Sequence, residues 1–199
     1  MSIARPLAAA ALIAIASAAT RAQTPAADAG PPRALDVTAE LARQGRKAGV
    51  VMCHAGEASQ AACEDLNVSI FQRVDGGVLH VRTMGEPQRV TDLLNRSIRL
   101  DPASGVPAIE VVATRIVNAI RGDHSAGPHE STGAVGQLVT LHGGSTTVIK
   151  ALDEVVRQAP GLVWYVYFSP TDDGGPLEIG LIGPGGGSGG TVFPLAKRG

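Results

Sequence analysis

Cys53 and Cys63 stand ten residues apart, and His54 follows the first of them directly. An even pair of thiols in an oxidising compartment favours a disulfide. Closing so short a loop contributes on the order of 3 kcal/mol in the chain-entropy model. Two buried free thiols compete with that reading, as does a reactive Cys53–His54 dyad. The dyad needs a turn, because neighbours on a strand point to opposite faces. The disulfide is preferred.

His124 and His129 share one polar segment with Asp123 and Glu130, and His142 ends the following strand. Imidazoles and carboxylates are common zinc and copper ligands. A spacing of five suits neither one helix face nor the His-Glu-x-x-His signature. His124 and His129 are therefore weak metal candidates, and a solvated loop is preferred. No cofactor is nominated.

Gly185, Gly187 and Gly190 match the dinucleotide pattern of spaced glycines, and Gly186 to Gly190 spells a serine-hydrolase elbow around Ser188. Each needs a helix after it. The nine residues that follow include Pro194 and no histidine, so both are coincidences of a glycine loop. Arg121-Gly122-Asp123 is discounted as a chance tripeptide. The carboxylate pairs Glu64-Asp65, Asp153-Glu154 and Asp172-Asp173 read as solvated surface. No catalytic set emerges.

Four of the six aromatics fall in Trp164 to Phe168. Alternation puts Trp164, Val166 and Phe168 on one face of a strand and Val163, Tyr165 and Tyr167 on the other. One face must be core. The other is either a binding platform, which makes Tyr165 and Tyr167 the ligand-binding candidates, or the underside of a second helical layer. The second layer is preferred.

The elements that would position these groups follow from periodicity. Helices are expected over 34–47, 57–66, 88–98, from Pro107 to about 120, and over 146–159. Strands are expected at 50–52, 68–74, 78–83, 137–142, 162–168 and 177–182, with an edge strand at 191–193. Asp75-Gly76-Gly77 reads as a hairpin turn, since glycine tolerates the positive φ required there. Gly143-Gly144-Ser145 reads as a turn with a helix cap, and 183–190 as a glycine loop. The fold class is α/β, more strictly α+β. It is a small, mostly antiparallel sheet with packed helices, ending in a β-α-β-β unit.

Composition narrows the class. With 44% hydrophobic and 18% charged residues and a net charge of −1, the chain is too apolar to be disordered. Its charge is too balanced for a nucleic-acid binder resting on bulk electrostatics. Two cysteines exclude a four-cysteine zinc site. Arg5 followed by an apolar run from Leu7 to Ala19 reads as a cleaved signal peptide over 1–22, with Ala18 as the second cleavage choice. That run is too short for a membrane span, which takes about 20 apolar residues. Cleavage removes two arginines and no acid, leaving a net charge of −3. Residues 23–33 are a Pro/Ala-rich linker, and 34–199 a single α/β domain divided into 34–120 and 137–193.

The stretches ALDVTAELARQGRKAGVVM (34–52) and STTVIKALDEVVRQAPGLVWYVYF (145–168, with the strand from 137 before it) resemble the two halves of the secretin and TonB short N-terminal domain. The family runs strand, amphipathic helix, glycine, strand. Here about 85 residues separate the halves, and no barrel, secretin or receptor segment follows. The resemblance implies a periplasmic module that docks protein partners, and it carries over no catalytic residue.

The expected function is accordingly an exported, non-enzymatic protein-interaction or ligand-binding module of the cell envelope. Its partner is an envelope protein, not nucleic acid, and after signal cleavage it is not an integral membrane protein. The alternative is a small periplasmic hydrolase or metal-binding protein using the loop histidines.

Overall fold

The computed structural model describes residues 33–56, 59–122, 136–170, 177–185 and the backbone of 188–193. The expected signal peptide, nearly all of the expected linker, His124, His129, Asp172-Asp173, Gly186 and Gly187 lie outside the described residues. Among the described residues no helix is long and apolar enough to cross a membrane.

The chain runs α1 (Ala34–Arg43), β1 (Ala48–Cys53), α2 (Gln60–Asn67), β2 (Ile70–Asp75), β3 (Val78–Thr83) and α3 (Gln88–Asn95). Next come β4 (Ser97–Leu100), β5 (Ala103–Pro107) and α4 (Ala108–Glu110). A π-helical segment (Val111–Ile116) joins α4 directly to α5 (Val117–Arg121). After the gap come β6 (Leu138–Leu141), β7 (Gly144–Thr147), α6 (Val148–Arg157), β8 (Val163–Phe168), β9 (Leu177–Ile182) and β10 (Ser188–Phe193).

Six strands form one mixed sheet in the order β10-β9-β8-β1-β3-β2. β1 is parallel to both neighbours, with Val50 opposite Val81 on one side and Tyr165 on the other. The remaining pairings are antiparallel, including the separate pairs β4–β7 and β5–β6. A mixed α+β fold results, mostly antiparallel with a parallel centre. β1 and β8 are buried along their whole length, as central parallel strands covered on both faces must be.

Two cores lie on opposite faces of this sheet. The larger holds Val51, Trp164, Val166, Phe168, Leu177 and Ile179 under α3, α6 and the π-containing helix. α6 supplies Val148, Ala151, Leu152, Val155 and Val156 from one stripe. The smaller core holds Val50, Met52, Val163, Tyr165 and Tyr167 under α1. α1 buries only Ala34, Thr38 and Ala42, four residues apart each time, so its small-residue face lies close to the sheet. β1 and β8, the strands within 34–52 and 145–168, are thus neighbours, and the helices before them, α1 and α6, cover opposite faces.

Gly49 is required by this packing. A Cβ there would lie 2.1 Å from the ring of Trp164, its β8 neighbour. Gly76 and Gly77 form the hairpin turn at φ +52° and +81°, as two-residue hairpins demand.

Several boundaries differ from the periodicity. The third helix stops at Asn95, Arg96 is extended, and Ile98 belongs to β4. Ile98 and Leu100 point inward, so the segment fits a period of two, and pairing with β7 decides it. Gly144–Thr147 is a strand, and the cap residue of α6 is Thr147. Residues 103–107 form β5, where no strand was expected, and Pro107 precedes the helix it was expected to open. β10 begins at Ser188 within the expected glycine loop. The C-terminal order of strand, helix, strand, strand is present, with its first strand, β6, pairing β5 outside the main sheet.

Candidate functional site

In sheets with parallel strands, clefts open beyond the carboxyl ends of those strands. β1 and β8 end together here, Cys53 opposite Phe168. The pairing runs one residue further, His54 N–H donating to the Phe168 carbonyl at 2.9 Å. On the other side β3 is last in register with Val51, which leaves Cys53 without a strand partner there. The Asn67 side chain of α2 takes that place. Its Oδ1 accepts from Cys53 N–H at 3.0 Å, and its Nδ2 donates to the Cys53 carbonyl at 2.9 Å.

The same two elements are joined covalently. Cys53 and Cys63 form a disulfide with Cα atoms 5.0 Å apart, and no described cysteine is free. The thiol-dyad reading ends with that bond, since Cys53 carries no thiol to activate. α2 is therefore fastened to the end of β1 twice over.

His54 leaves the strand end partly exposed, and its ring lies 5.3 Å from that of Tyr167 at a tilt of 56°. Tyr167 in turn stacks on Tyr165, centroids 4.3 Å apart. Tyr165 donates its hydroxyl to Glu178 Oε1 at 3.0 Å. Tyr167 donates to Thr38 Oγ1 at 2.7 Å, and Thr38 donates to the Ala34 carbonyl at 2.7 Å. The row His54, Tyr167, Tyr165 thus ends on a carboxylate and is clamped to the first turn of α1.

Both tyrosines are buried, at 4% and 3% exposure, in the core under α1. The flat exposed platform suggested for Tyr165 and Tyr167 is overturned, because the second helical layer covers them. Burial pushes both phenols well above the ordinary range, and the charge of Glu178 adds to the effect. They stay neutral hydrogen-bond donors. Tyr167 still contributes to a cleft of about 290 Å³ with His54, Ser59, Ser169 and Glu178. A second cleft, about 150 Å³, lies on the other side of His54, between the disulfide, Glu64, Asp36 and Arg33. His54 is the wall they share.

The charged groups described in the two clefts are Arg33, Asp36, Glu64 and Glu178, a negative rim when His54 is neutral. No described hydroxyl or carboxylate hydrogen-bonds to the His54 ring. No nucleophile–base pair is therefore assembled at His54, and no described group of three His, Cys, Asp or Glu could hold a metal. The arrangement offers the partly exposed His54 ring and the rim of Tyr167 beside a carboxylate. His142 is elsewhere, paired with Glu154 on the surface of α6.

Of the residues nominated from sequence, the structure brings Cys53, Cys63 and Tyr167 to one end of the sheet, with Tyr165, opposite Val50 in mid-strand, stacked on Tyr167. Glu178 and Asn67 were not nominated. Glu178 had a signal, being the one charge in the otherwise apolar strand Leu177–Ile182. Asn67 had none. Compared with family models, with curated proteins and with solved structures, the chain matches none of them.

Proposed function

We propose that the protein is an exported, non-enzymatic interaction module of the cell envelope, and that it takes a side chain of a protein partner into the His54 cleft. The observation that carries this reading is the cleft itself. At about 290 Å³ it is smaller than most small-molecule sites, which run roughly 300–1,000 Å³, and it suits a single anchoring side chain. Its aromatic wall and Glu178 favour a basic or amphipathic anchor. Export is supported by the Cys53–Cys63 disulfide, since such bonds persist in oxidising compartments. The resemblance of 34–52 and 137–168 to the secretin and TonB short N-terminal domain points the same way.

The test is capture from an envelope extract of the source cells by the wild-type protein and by His54→Ala and Glu178→Gln. A membrane-complex component retained by the wild type and weakened by more than about 1 kcal/mol in both folded variants supports the module. Turnover of a substrate abolished by His54→Ala, without any retained partner, would replace it with the hydrolase reading.

A further inference from the structure

β2 is an edge strand, with β3 on one side and nothing among the described residues pairing the other. Exposed apolar side chains gather along it. Six large hydrophobic side chains are exposed among the described residues, and four of them, Val68, Phe71, Val74 and Met84, lie on or beside it. Phe71 is 41% exposed and Val74 68%. Natural edges are usually blunted with charge, proline or a bulge. Ile70–Asp75 carries the charges of Arg73 and Asp75, but it has an unbroken register with β3 and no proline.

The backbone groups left over can be assigned. Met84 N–H donates to the Ser69 carbonyl at 2.8 Å, which makes Ser69 a hydrogen-bonded position. Bonding alternates along an antiparallel ladder, so Phe71, Arg73 and Asp75 also bond to β3. Ile70, Gln72 and Val74 then direct their N–H and C=O groups outward.

From this edge we infer that the protein forms a two-fold dimer through antiparallel pairing of β2 with β2 of a second copy, Gln72 opposite Gln72. Directly opposite residues share a face of the sheet, so two identical strands can pair only about a residue. Centring on Arg73 sets arginine against arginine, and like charges directly opposite are destabilising. Centring on Phe71 leaves only Ile70 to Gln72 overlapping within the strand. Centring on Gln72 pairs all of Ile70 to Val74. It sets Ile70 against Val74 on one face, on both sides of the axis. It sets Phe71 against Arg73 on the other, where guanidinium and ring attract. The outward groups of residues 70, 72 and 74 all find partners. This surface is separate from the His54 cleft.

The experiment is sedimentation equilibrium on the full chain, expressed and recovered as the cell processes it, with Gln72→Lys, Gln72→Cys and Arg73→Cys beside the wild type. The expected result is a wild-type dimer, with dissociation about five-fold or more weaker in Gln72→Lys, where two lysines face each other. Gln72→Cys should cross-link to its copy on oxidation, the opposed Cα atoms being about 5.5 Å apart. Arg73→Cys, set against Phe71, should not. Unchanged circular dichroism of each variant establishes that it has folded. A monomer at every concentration overturns the inference, whether or not it captures an extended segment of another protein. So does a dimer indifferent to Gln72→Lys and not cross-linked through residue 72.

Discussion

Asp153 accepts the indole N–H of Trp164 at 2.8 Å, joining α6 to β8 inside the larger core. Both residues are buried, and they are not alone. His80 of β3 lies edge-on to the indole and brings Nε2 to 3.3 Å from the other Asp153 oxygen, off hydrogen-bond geometry. Arg157 adds a charge at 3.5 Å and donates to the Gly76 carbonyl in the β2–β3 turn. One carboxylate on a helix therefore gathers groups from β3 and β8.

Removing that acceptor should be costly. Asp153→Ala leaves a buried indole N–H and His80 without their partner, and should destabilise the fold by about 3 kcal/mol. Asp153→Asn keeps an oxygen for the indole and should cost less, about 1 kcal/mol. Urea titration followed by fluorescence reads both, since Trp164 is the single tryptophan. Equal losses in the two variants would mean that the indole bond contributes little.

Gly49→Ala should destabilise by about 1–3 kcal/mol or more, because the added methyl meets the Trp164 ring. Trp164→Leu costs stability by itself. In its background, however, the Gly49→Ala penalty should largely vanish. A double-mutant cycle with no coupling would place the damage elsewhere.

Thiol titration without reductant should find no free thiol, even after unfolding. Cys63→Ser should lower stability by about 3 kcal/mol, with α2 the first element to lose hydrogen-exchange protection. The Asn67 bonds to Cys53 remain in that variant and should keep β1 paired.

High pH should unfold the protein through Tyr165 and Tyr167. Their phenols titrate higher in the folded state than in the unfolded chain, chiefly because they are buried. Above about pH 10 the folded state holds more protons than the unfolded one, so stability falls as pH rises. With both groups engaged the slope is about 2.7 kcal/mol per pH unit. These are the only two tyrosines. Tyrosinate absorbance should therefore appear together with loss of secondary structure, and a titration complete in the folded protein would contradict their burial.

What could be read from sequence was whatever rests on local pattern. The β2–β3 hairpin, the α6 stripe and the two faces of β8 follow from periods of two and 3.6 and from paired glycines. The disulfide followed from the even cysteine count and the compartment expected for the chain. β7 did not, because Gly-Ser-Thr-Thr has no apolar alternation and becomes a strand only against β4, far away in sequence. Alternation also showed that Tyr165 and Tyr167 share a face without showing that α1 covers it. The cleft around His54 escaped for a related reason. Its walls come from the ends of β1 and β8, from β9 and from the start of α1, and no local window contains them.

The central strand has a consequence for how the chain is made. Ala48 of β1 is flanked by Leu79 and by Val163, so its second neighbour emerges long after its first. A nascent chain leaving a ribosome holds β1 half-partnered until the last third arrives. Until then the sheet has an open apolar seam, and distant strand pairings close slowly. Complete folding is thereby deferred until the last third of the chain has been made. The same delay leaves apolar surface open on the unfinished chain, and a truncation before Val163 removes the second neighbour of β1 altogether.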